Sequence, residues 1–248
     1  MSPGGHRTSS WKGKGQFAPT RWSVVLAAAD DQALTGARRA LEELIKIYWF
    51  PLYAYIRRRG SSPEQAEDLT QGFFARMLEK ESLYSVDRGK GKFRSFLLAS
   101  LKNFMSDERD KARAKKRGGG KGPLSLDALD AEAHYAMEPV DSMTPERLFE
   151  RRWAIAVLDQ VVLRLEKEYS DRGQGAMFKA LRHALDGQAD GPSYAALAGR
   201  LGASEGALRV AAHRLRRRYR ELLRQEILQT VSAPELVDEE IRYLLRCL

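Results

Sequence analysis

The segment that most constrains the fold runs from Ser193 to Arg220. It contains two helical patterns separated by a short turn. Ala198 stands where two helices must approach closely, and Gly202, four residues later, stands where the turn needs a residue that tolerates a positive φ. Leu208 follows six residues further on and is expected to point back between the helices. This spacing is typical of a helix-turn-helix, whose second helix enters the major groove of DNA. The sequence therefore predicts DNA as a partner.

The second of these helices is expected to carry the contacts to duplex DNA. Its N-terminal end and one face supply candidate base contacts, which are Ser204, Glu205, Arg209 and His213. The arginines that flank this face suit phosphate groups: Arg214, Arg216, Arg217, Arg218 and Arg220. The alternative is a solvated basic helix without a DNA role, and the spacing of the turn favours DNA binding.

Composition narrows the class of protein. The chain has 248 residues, a hydrophobic fraction of 43% and a net charge of +9, which favours polyanionic partners, nucleic acid before an anionic membrane. The lone cysteine, Cys247, excludes an intrachain disulfide. No apolar run approaches the roughly 20 residues of a membrane span, and the basic N-terminus lacks the apolar core of a signal peptide. We therefore expect a cytoplasmic protein without a membrane partner.

Helical periodicity predicts an all-α chain of two small domains joined by a flexible linker, with the helix-turn-helix in the second. A glycine-rich run at 118–123 interrupts the helical pattern and marks the linker. The predicted organisation is a disordered basic arm at 1–17, a first domain at 18–117, the linker at 118–143, a second domain at 144–225 and a C-terminal helical extension at 226–248.

Individual helices follow from caps and apolar stripes. We expect helices at 21–29, from 36 onward with a kink or restart at Pro51, from Ser62 with Gln65 completing a capping box, at 93–116, near 126–134, from Thr144, at 175–185 and from Ser232. In the third helix, Ala66, Leu69, Phe73 and Met77 form the predicted buried stripe, which leaves Glu67, Asp68, Thr70 and Gln71 facing outward. In the helix from Thr144, the predicted inward residues are Leu148, Ile155, Leu158, Val162 and Leu165.

Catalytic and metal-binding motifs are missing from the sequence. The four histidines are scattered, and neither a nucleotide-binding loop nor a nucleophile motif is present, so we predict no enzyme, no metal and no cofactor. One alternative is a metal-dependent nuclease that uses Asp107 and Glu108. Ion pairs of these acidic residues with Lys111 and Arg113 along one helix are the simpler interpretation.

Aromatic residues are interleaved with basic ones at the start of the 93–116 helix. Phe93, Phe96 and Phe104 stand near Lys92 and Arg94. Such interleaving is used to bind single-stranded DNA, but phenylalanines at helical spacing more often form a core, and core packing is favoured here.

Together these segments resemble bacterial sigma factors of the extracytoplasmic-function (ECF) group, in a subgroup with N- and C-terminal extensions. The segment AEDLTQGFF at 66–74 is similar to the part of that family that docks on RNA polymerase. Phe96, Asn103 and Asp107 match the spacing of its downstream-element helix. Gly206, Leu208, Arg209, His213 and Arg214 fall in register with its upstream-element segment, although Val210 and Ala211 replace a frequent serine–arginine pair.

The resemblance implies a protein that binds core RNA polymerase and promoter DNA, with catalysis left to the polymerase and an anti-sigma or other regulatory protein as a further partner. It implies polymerase docking through Asp68, Gln71 and Phe74. It implies downstream-element contacts by Lys92, Arg94, Phe96, Asn103, Asp107, Arg109 and Arg113. It implies upstream-element contacts by Ser204, Glu205, Arg209, His213, Arg214, Arg216 and Arg217.

Other functions remain open from sequence. A stand-alone helix-turn-helix regulator would bind duplex DNA without polymerase, usually as a symmetric dimer, and a nucleic-acid coat protein would bind without sequence preference. The C-terminal helix, with Val237, Ile241, Leu244 and Leu248 on one side, is expected to pack on the second domain rather than to receive a partner helix.

Overall fold

The computed structural model of the protein describes residues 34–78, 92–114, 126–136, 143–185 and 192–248. These ranges confirm the all-α prediction, since they contain no β-strand beyond one isolated bridge between Lys92 and Val231. The helices are α1 (Leu34–Arg58), α2 (Pro63–Leu78), α3 (Phe93–Ala114), α4 (Leu126–Ala136), α5 (Pro145–Asp171), α6 (Gly175–Leu181), α7 (Tyr194–Leu201), α8 (Glu205–Leu228) and α9 (Val237–Arg246), with short 3₁₀ turns at Arg182–Ala184 and Pro234–Leu236.

Local caps begin α2 and α5 where the sequence predicts them. The Ser62 hydroxyl accepts a hydrogen bond from the Gln65 amide at 3.3 Å, while the Ser62 amide donates to the Gln65 side chain at 3.0 Å. This reciprocal pair is the predicted capping box. Thr144 caps α5 through a 3.3 Å bond from the amide of Arg147.

Helix α1 continues through Pro51, so, of the predicted kink or restart, the restart does not occur. A proline inside a helix removes one backbone hydrogen bond and costs about 3 kcal/mol. Burial on both sides of Pro51 offsets that cost, because Tyr48, Leu52 and Ile56 are all fully buried.

One hydrophobic core joins the two halves of the chain. Helix α1 of the first half packs along α5 of the second. Within the first half, the ring of Tyr48 meets that of Phe93 edge to face at 5.1 Å. Lys102 of α3 forms a 2.9 Å ion pair with Glu146 at the start of α5. Apolar faces of both halves are therefore buried against each other in this structure, and the division into two domains stays a prediction.

Burial corrects two of the predicted helix faces. In α2, Glu67 and Thr70 are buried, and the Thr70 hydroxyl donates to the carbonyl of Ala66 at 2.6 Å. In α5, Ile155, Leu158 and Val162 are only half-buried. The buried stripe of α5 is Leu148, Phe149, Trp153, Ala154, Val157, Val161, Leu165 and Tyr169, a wide face because α5 packs against both α1 and α8.

Several predicted segments lie outside the described residues: the basic arm at 1–17, the helix at 21–29 and most of the 118–143 linker. The short helix predicted within the linker is present as α4. Glu132 of α4 accepts hydrogen bonds of 2.8 and 2.7 Å from the guanidinium of Arg57, which ties α4 to α1. Among the described helices, none combines the length and apolar character that crossing a lipid bilayer requires.

Candidate nucleic-acid interface

The turn between α7 and α8 has the backbone that the sequence predicts. Gly202 ends α7 in the left-handed conformation, with φ of 61°, and its amide donates to the carbonyl of Ala198. Ser204 then caps α8, since its hydroxyl accepts a 3.2 Å hydrogen bond from the amide of Ala207. These contacts set the angle at which α8 leaves α7.

Helix α8 has a buried face and an exposed basic face. Leu208, Ala212 and Leu215 are fully buried and hold the helix against the core, as predicted for Leu208. Four residues at the N-terminal end and beside this buried face are exposed, and this set is here named the outer face of α8: Ser204, Glu205, Arg209 and His213. The structure thus brings together the predicted base-contacting residues.

Arg209 is the residue of the outer face whose surroundings best suit contact with DNA. Its side chain is 66% exposed and forms a 3.4 Å ion pair with Glu205, one turn earlier. Its guanidinium also lies 5.4 Å from the ring centre of Tyr194 on α7. An exposed pair of this kind contributes little to stability, so Arg209 can exchange Glu205 for a nucleic-acid partner at low cost.

The arginines that follow the outer face divide into two groups. Arg214, Arg217 and Arg220 are exposed. Arg218 instead donates to both carboxylate oxygens of Glu168 on α5, at 2.7 and 2.8 Å. These hydrogen bonds hold the pKa of Glu168 below its ordinary value and raise that of Arg218. Arg216 is exposed, yet its Nε donates to the carbonyl of Ala184 at 2.8 Å.

The predicted polymerase-docking residues are not all on the surface. Asp68 and Gln71 are exposed on α2, and Gln71 donates to the carboxylate of Glu67 at 2.9 Å. Phe74 is only 5% exposed and packs against Phe73 with ring centres 5.5 Å apart. The assignment of Phe74 to an exposed docking face is therefore wrong, since its ring is part of the core.

The phenylalanines of α3 also belong to the core. Phe93, Phe96 and Phe104 are all buried, which supports core packing and excludes Phe96 from the exposed DNA-binding surface of this structure. Asn103, Asp107 and Arg109 are exposed on the same helix. The side chain of Arg113 lies outside the described part of the chain.

Asp107 and Asn103 border a surface pocket of about 170 Å³ between α2 and α3. Asp107 accepts a 2.8 Å hydrogen bond from Arg76 of α2, rather than pairing with Lys111 as the sequence predicts. Lys111 pairs with Glu108 at 2.8 Å. Because Asp107 and Glu108 each have a cationic partner, their arrangement gives the nuclease alternative no support.

Lys92 and Arg94, which were predicted to contact DNA, are covered by the C-terminal helix. Arg94 is 8% exposed and forms a 2.6 Å ion pair with Glu240, while Lys92 contacts Glu239 at 2.7 Å. In this conformation neither side chain is presented to DNA, and their contact with DNA stays a prediction. The acidic triplet Asp238–Glu239–Glu240 was the sequence signal for this contact, and it was missed because the partners stand more than 140 residues apart.

Comparison with known families finds one similarity, in the first half of the chain. Residues 44–115 match the family model for Sigma-70 region 2. This Sigma-70 region 2 segment runs from within α1 to the end of α3 and includes Asp68, Gln71, Asn103, Asp107 and Arg109. No curated protein and no solved structure matches the chain.

The similarity supports a sigma-factor role, which implies binding to core RNA polymerase and promoter DNA. Sigma-70 region 2 belongs to transcription initiation factors that are not themselves enzymes. The matched range covers less than half of the chain, and helices α7 and α8 lie beyond it.

Proposed function

We propose that the protein is a sigma factor of the ECF group, which binds core RNA polymerase and directs it to promoters through two DNA-binding regions. The similarity of residues 44–115 to Sigma-70 region 2 carries this proposal. The exposed basic face of α8 supports a second DNA contact, and the polymerase supplies the chemistry of RNA synthesis.

Docking on the polymerase is assigned to the exposed face of α2. Asp68 and Gln71 stand one turn apart on that face and are accessible to a partner. The carboxylate of Asp68 suits a basic surface, and the capping box at Ser62 fixes where the helix begins. Phe74 supports this face from beneath, as a core residue.

Contacts with the downstream promoter element are assigned to α3. Asn103, Asp107 and Arg109 are exposed there, and the pocket beside Asn103 is open to solvent. Capturing an extruded base costs a few kcal/mol of unstacking, which hydrogen bonds within such a pocket can offset. Asn103 can both donate and accept, as recognition of a base edge requires.

The upstream promoter element is assigned to the outer face of α8. Arg209 and His213 would read base edges, while Arg214, Arg216 and Arg217 would contact phosphates. Ser204 orients the first turn of the helix through its cap, and Glu205 holds the side chain of Arg209 until DNA replaces it.

The chain is proposed to work as two DNA-binding domains, 18–117 and 144–225, with the segment 118–143 between them. When both bind one promoter, the second contact becomes intramolecular, which raises its effective concentration. This use requires the contact between α1 and α5 to loosen on the polymerase. The C-terminal extension at 226–248 is then a candidate element for regulating DNA binding.

Run-off transcription tests the proposal. Purified core polymerase and fragmented genomic DNA are incubated with the full-length protein, and the transcripts are sequenced. We expect new start sites that share two spaced sequence elements. The proposal fails if folded protein adds no start sites. It also fails if the protein binds duplex DNA equally tightly with and without polymerase, which would favour a stand-alone regulator.

A further inference from the structure

The C-terminal helix covers the cationic beginning of α3. Its first turn carries Glu239 and Glu240, which form ion pairs with Lys92 and Arg94. Neither the match to Sigma-70 region 2 nor the upstream segment includes this helix. The contact therefore involves a part of the chain outside both proposed DNA-binding segments.

Two carboxylates surround the two cations. The Arg94 guanidinium donates to Glu240 at 2.6 and 3.3 Å, and Lys92 lies 2.7 Å from Glu239 and 3.1 Å from Glu240. Glu150 of α5 adds a third carboxylate, 3.5 Å from Arg94. The carboxylates occupy the donors that would bind phosphate oxygens, because guanidinium binds both groups in the same geometry.

Two aromatic rings lie close to the guanidinium of Arg94. Its guanidinium carbon lies 3.9 Å from the ring centre of Tyr243 on α9 and 5.2 Å from that of Trp153 on α5. Glu240 is only 1% exposed. A cation enclosed in this way makes its hydrogen bonds inside the protein and is inaccessible to a nucleic acid.

Backbone hydrogen bonding reinforces the contact. The amide of Phe93 donates to the carbonyl of Thr230 at 2.9 Å, and Lys92 and Val231 form an antiparallel bridge. Val237 and Leu244 anchor α9 in the core. The segment 230–246, here named the C-terminal latch, is therefore fastened by backbone, apolar and ionic contacts at once.

We propose that the C-terminal latch is an autoinhibitory element that withholds Lys92 and Arg94 from DNA until it is displaced. This inference rests on the proposed function, in which α3 contacts the downstream element, and it adds Lys92 and Arg94 to that contact. DNA phosphates and the carboxylates of the latch compete for the same two side chains. Displacement of α9 exposes both cations and removes one of the contacts that hold the two halves of the chain together.

The first experiment neutralises the latch. Binding of a fluorescent single-stranded oligonucleotide is measured by anisotropy for the full chain and for the double variant Glu239→Gln/Glu240→Gln. If the open form is at most about 10% populated in the parent protein, opening the latch tightens binding about tenfold or more. The matched control is Asp238→Asn, since Asp238 is on the same turn of α9 but pairs with Arg224.

Two further measurements identify the cause of tighter binding. Adding Lys92→Ala/Arg94→Ala to the double variant removes the gain if these cations bind the oligonucleotide. Hydrogen exchange of the Phe93 amide reports the latch directly, because that amide donates to Thr230. We expect faster exchange in Glu239→Gln/Glu240→Gln and parent-like exchange in Asp238→Asn.

A cross-linked variant gives a second test in case loss of the buried Glu240 charge unfolds the protein. Residues opposite each other in an antiparallel bridge have Cα atoms about 4.5–5.5 Å apart, which suits a disulfide. In Lys92→Cys/Val231→Cys/Cys247→Ser, oxidation locks the latch and reduction allows it to open. Because this variant lacks Lys92, the change in binding reports the accessibility of Arg94. The reduced form is expected to bind the oligonucleotide several-fold more tightly than the oxidised form.

These outcomes separate the latch from the sigma-factor role. Equal binding by the oxidised and reduced forms, or no gain in a folded Glu239→Gln/Glu240→Gln protein, overturns the latch. The proposed function is judged by transcription with core polymerase. A latch that opens and tightens DNA binding, combined with no transcription from any variant, refutes the sigma-factor role while leaving the latch standing.

Discussion

Arg218 donates hydrogen bonds of 2.7 and 2.8 Å to the two carboxylate oxygens of Glu168, so one arginine of the basic run in α8 serves to hold α8 against α5. Its neighbour Arg217 is exposed and pairs along its own helix, with Glu221 at 3.1 Å. Adjacent arginines therefore differ in role, because successive positions on a helix point in different directions.

Replacing Arg218 by alanine is expected to lower the free energy of unfolding by about 1–2 kcal/mol, since two charge-assisted hydrogen bonds are lost and Glu168 is left without them. Urea denaturation followed by circular dichroism measures the change. Duplex affinity should fall by less than in Arg217→Ala.

Arg217→Ala is the matched control, with the opposite pattern. Its effect on unfolding should stay within about 0.5 kcal/mol, as for other exposed sites. Its duplex affinity should fall, and the slope of log affinity against log salt should become shallower by about 1, as expected for one lost phosphate contact. If Arg217→Ala destabilises the fold as much as Arg218→Ala, this division of roles is wrong.

Features that depend on neighbouring residues could be predicted from the sequence. The capping box at Ser62, the positive φ of Gly202 and the burial of Leu208 each follow from contacts within one or two turns. The predicted helix ranges lie close to the observed ones for the same reason, because apolar periodicity and caps act locally.

Features set by distant partners could not be predicted. The sequence does not show that Arg94 pairs with Glu240 of α9. It also does not show that the ring of Phe74 is buried in the core. A helix stripe shows which face is apolar but not which helix covers it. The packing of α1 on α5 is such a case: each apolar face was evident, but the pairing was not.

Alanine at Gly199, inside α7, and alanine at Gly202, at the C-terminal end of α7, should change stability in opposite directions. Gly202 has a φ of 61° with open space around its Cα, so Gly202→Ala incurs only conformational strain, about 1–2 kcal/mol. Gly199 also has open space but lies inside α7, and Gly199→Ala should stabilise by up to about 1 kcal/mol. Thermal unfolding of both proteins checks this; an equal or higher melting temperature for Gly202→Ala would contradict it.

Acid should weaken two ion pairs, Arg57–Glu132 between α1 and α4 and Lys102–Glu146 between α3 and α5. Hydrogen bonds from Arg57 hold the pKa of Glu132 below its usual 4.5, and those from Lys102 do the same for Glu146. A carboxyl with a lowered folded-state pKa stabilises the protein above pH 4.5, and that stabilisation is lost as the pH falls through the folded-state pKa. Denaturation between pH 7 and pH 3 should show this loss, and Glu132→Gln should flatten it. An unchanged pH profile in that variant would show that Glu132 does not contribute to the loss of stability at low pH.

Alanine at both Asp68 and Gln71 is expected to impair capture by core polymerase without changing the fold, because both side chains are exposed. A pull-down with immobilised core enzyme measures capture, and circular dichroism checks the fold. The matched control replaces Asp171, an exposed acidic residue at the far end of α5. Phe74→Ala is unsuitable as a docking probe, since truncating a buried phenylalanine costs about 3–5 kcal/mol. Equal capture by the Asp68/Gln71 variant and the parent would exclude this face of α2.

Arg209 gives the sharpest test of sequence recognition by α8. A good bidentate base contact contributes about 1–3 kcal/mol of discrimination, so Arg209→Ala should reduce promoter preference by that amount. Arg209→Lys keeps the charge but loses the fork geometry, and should reduce preference nearly as much if Arg209 binds a base. Competition transcription between matched and mutated upstream elements measures preference, with Lys167→Ala, an exposed cation on α5, as control. If Arg209→Lys retains full preference and Arg209→Ala weakens all sequences equally, Arg209 contacts a phosphate, and base recognition falls to His213 and its neighbours.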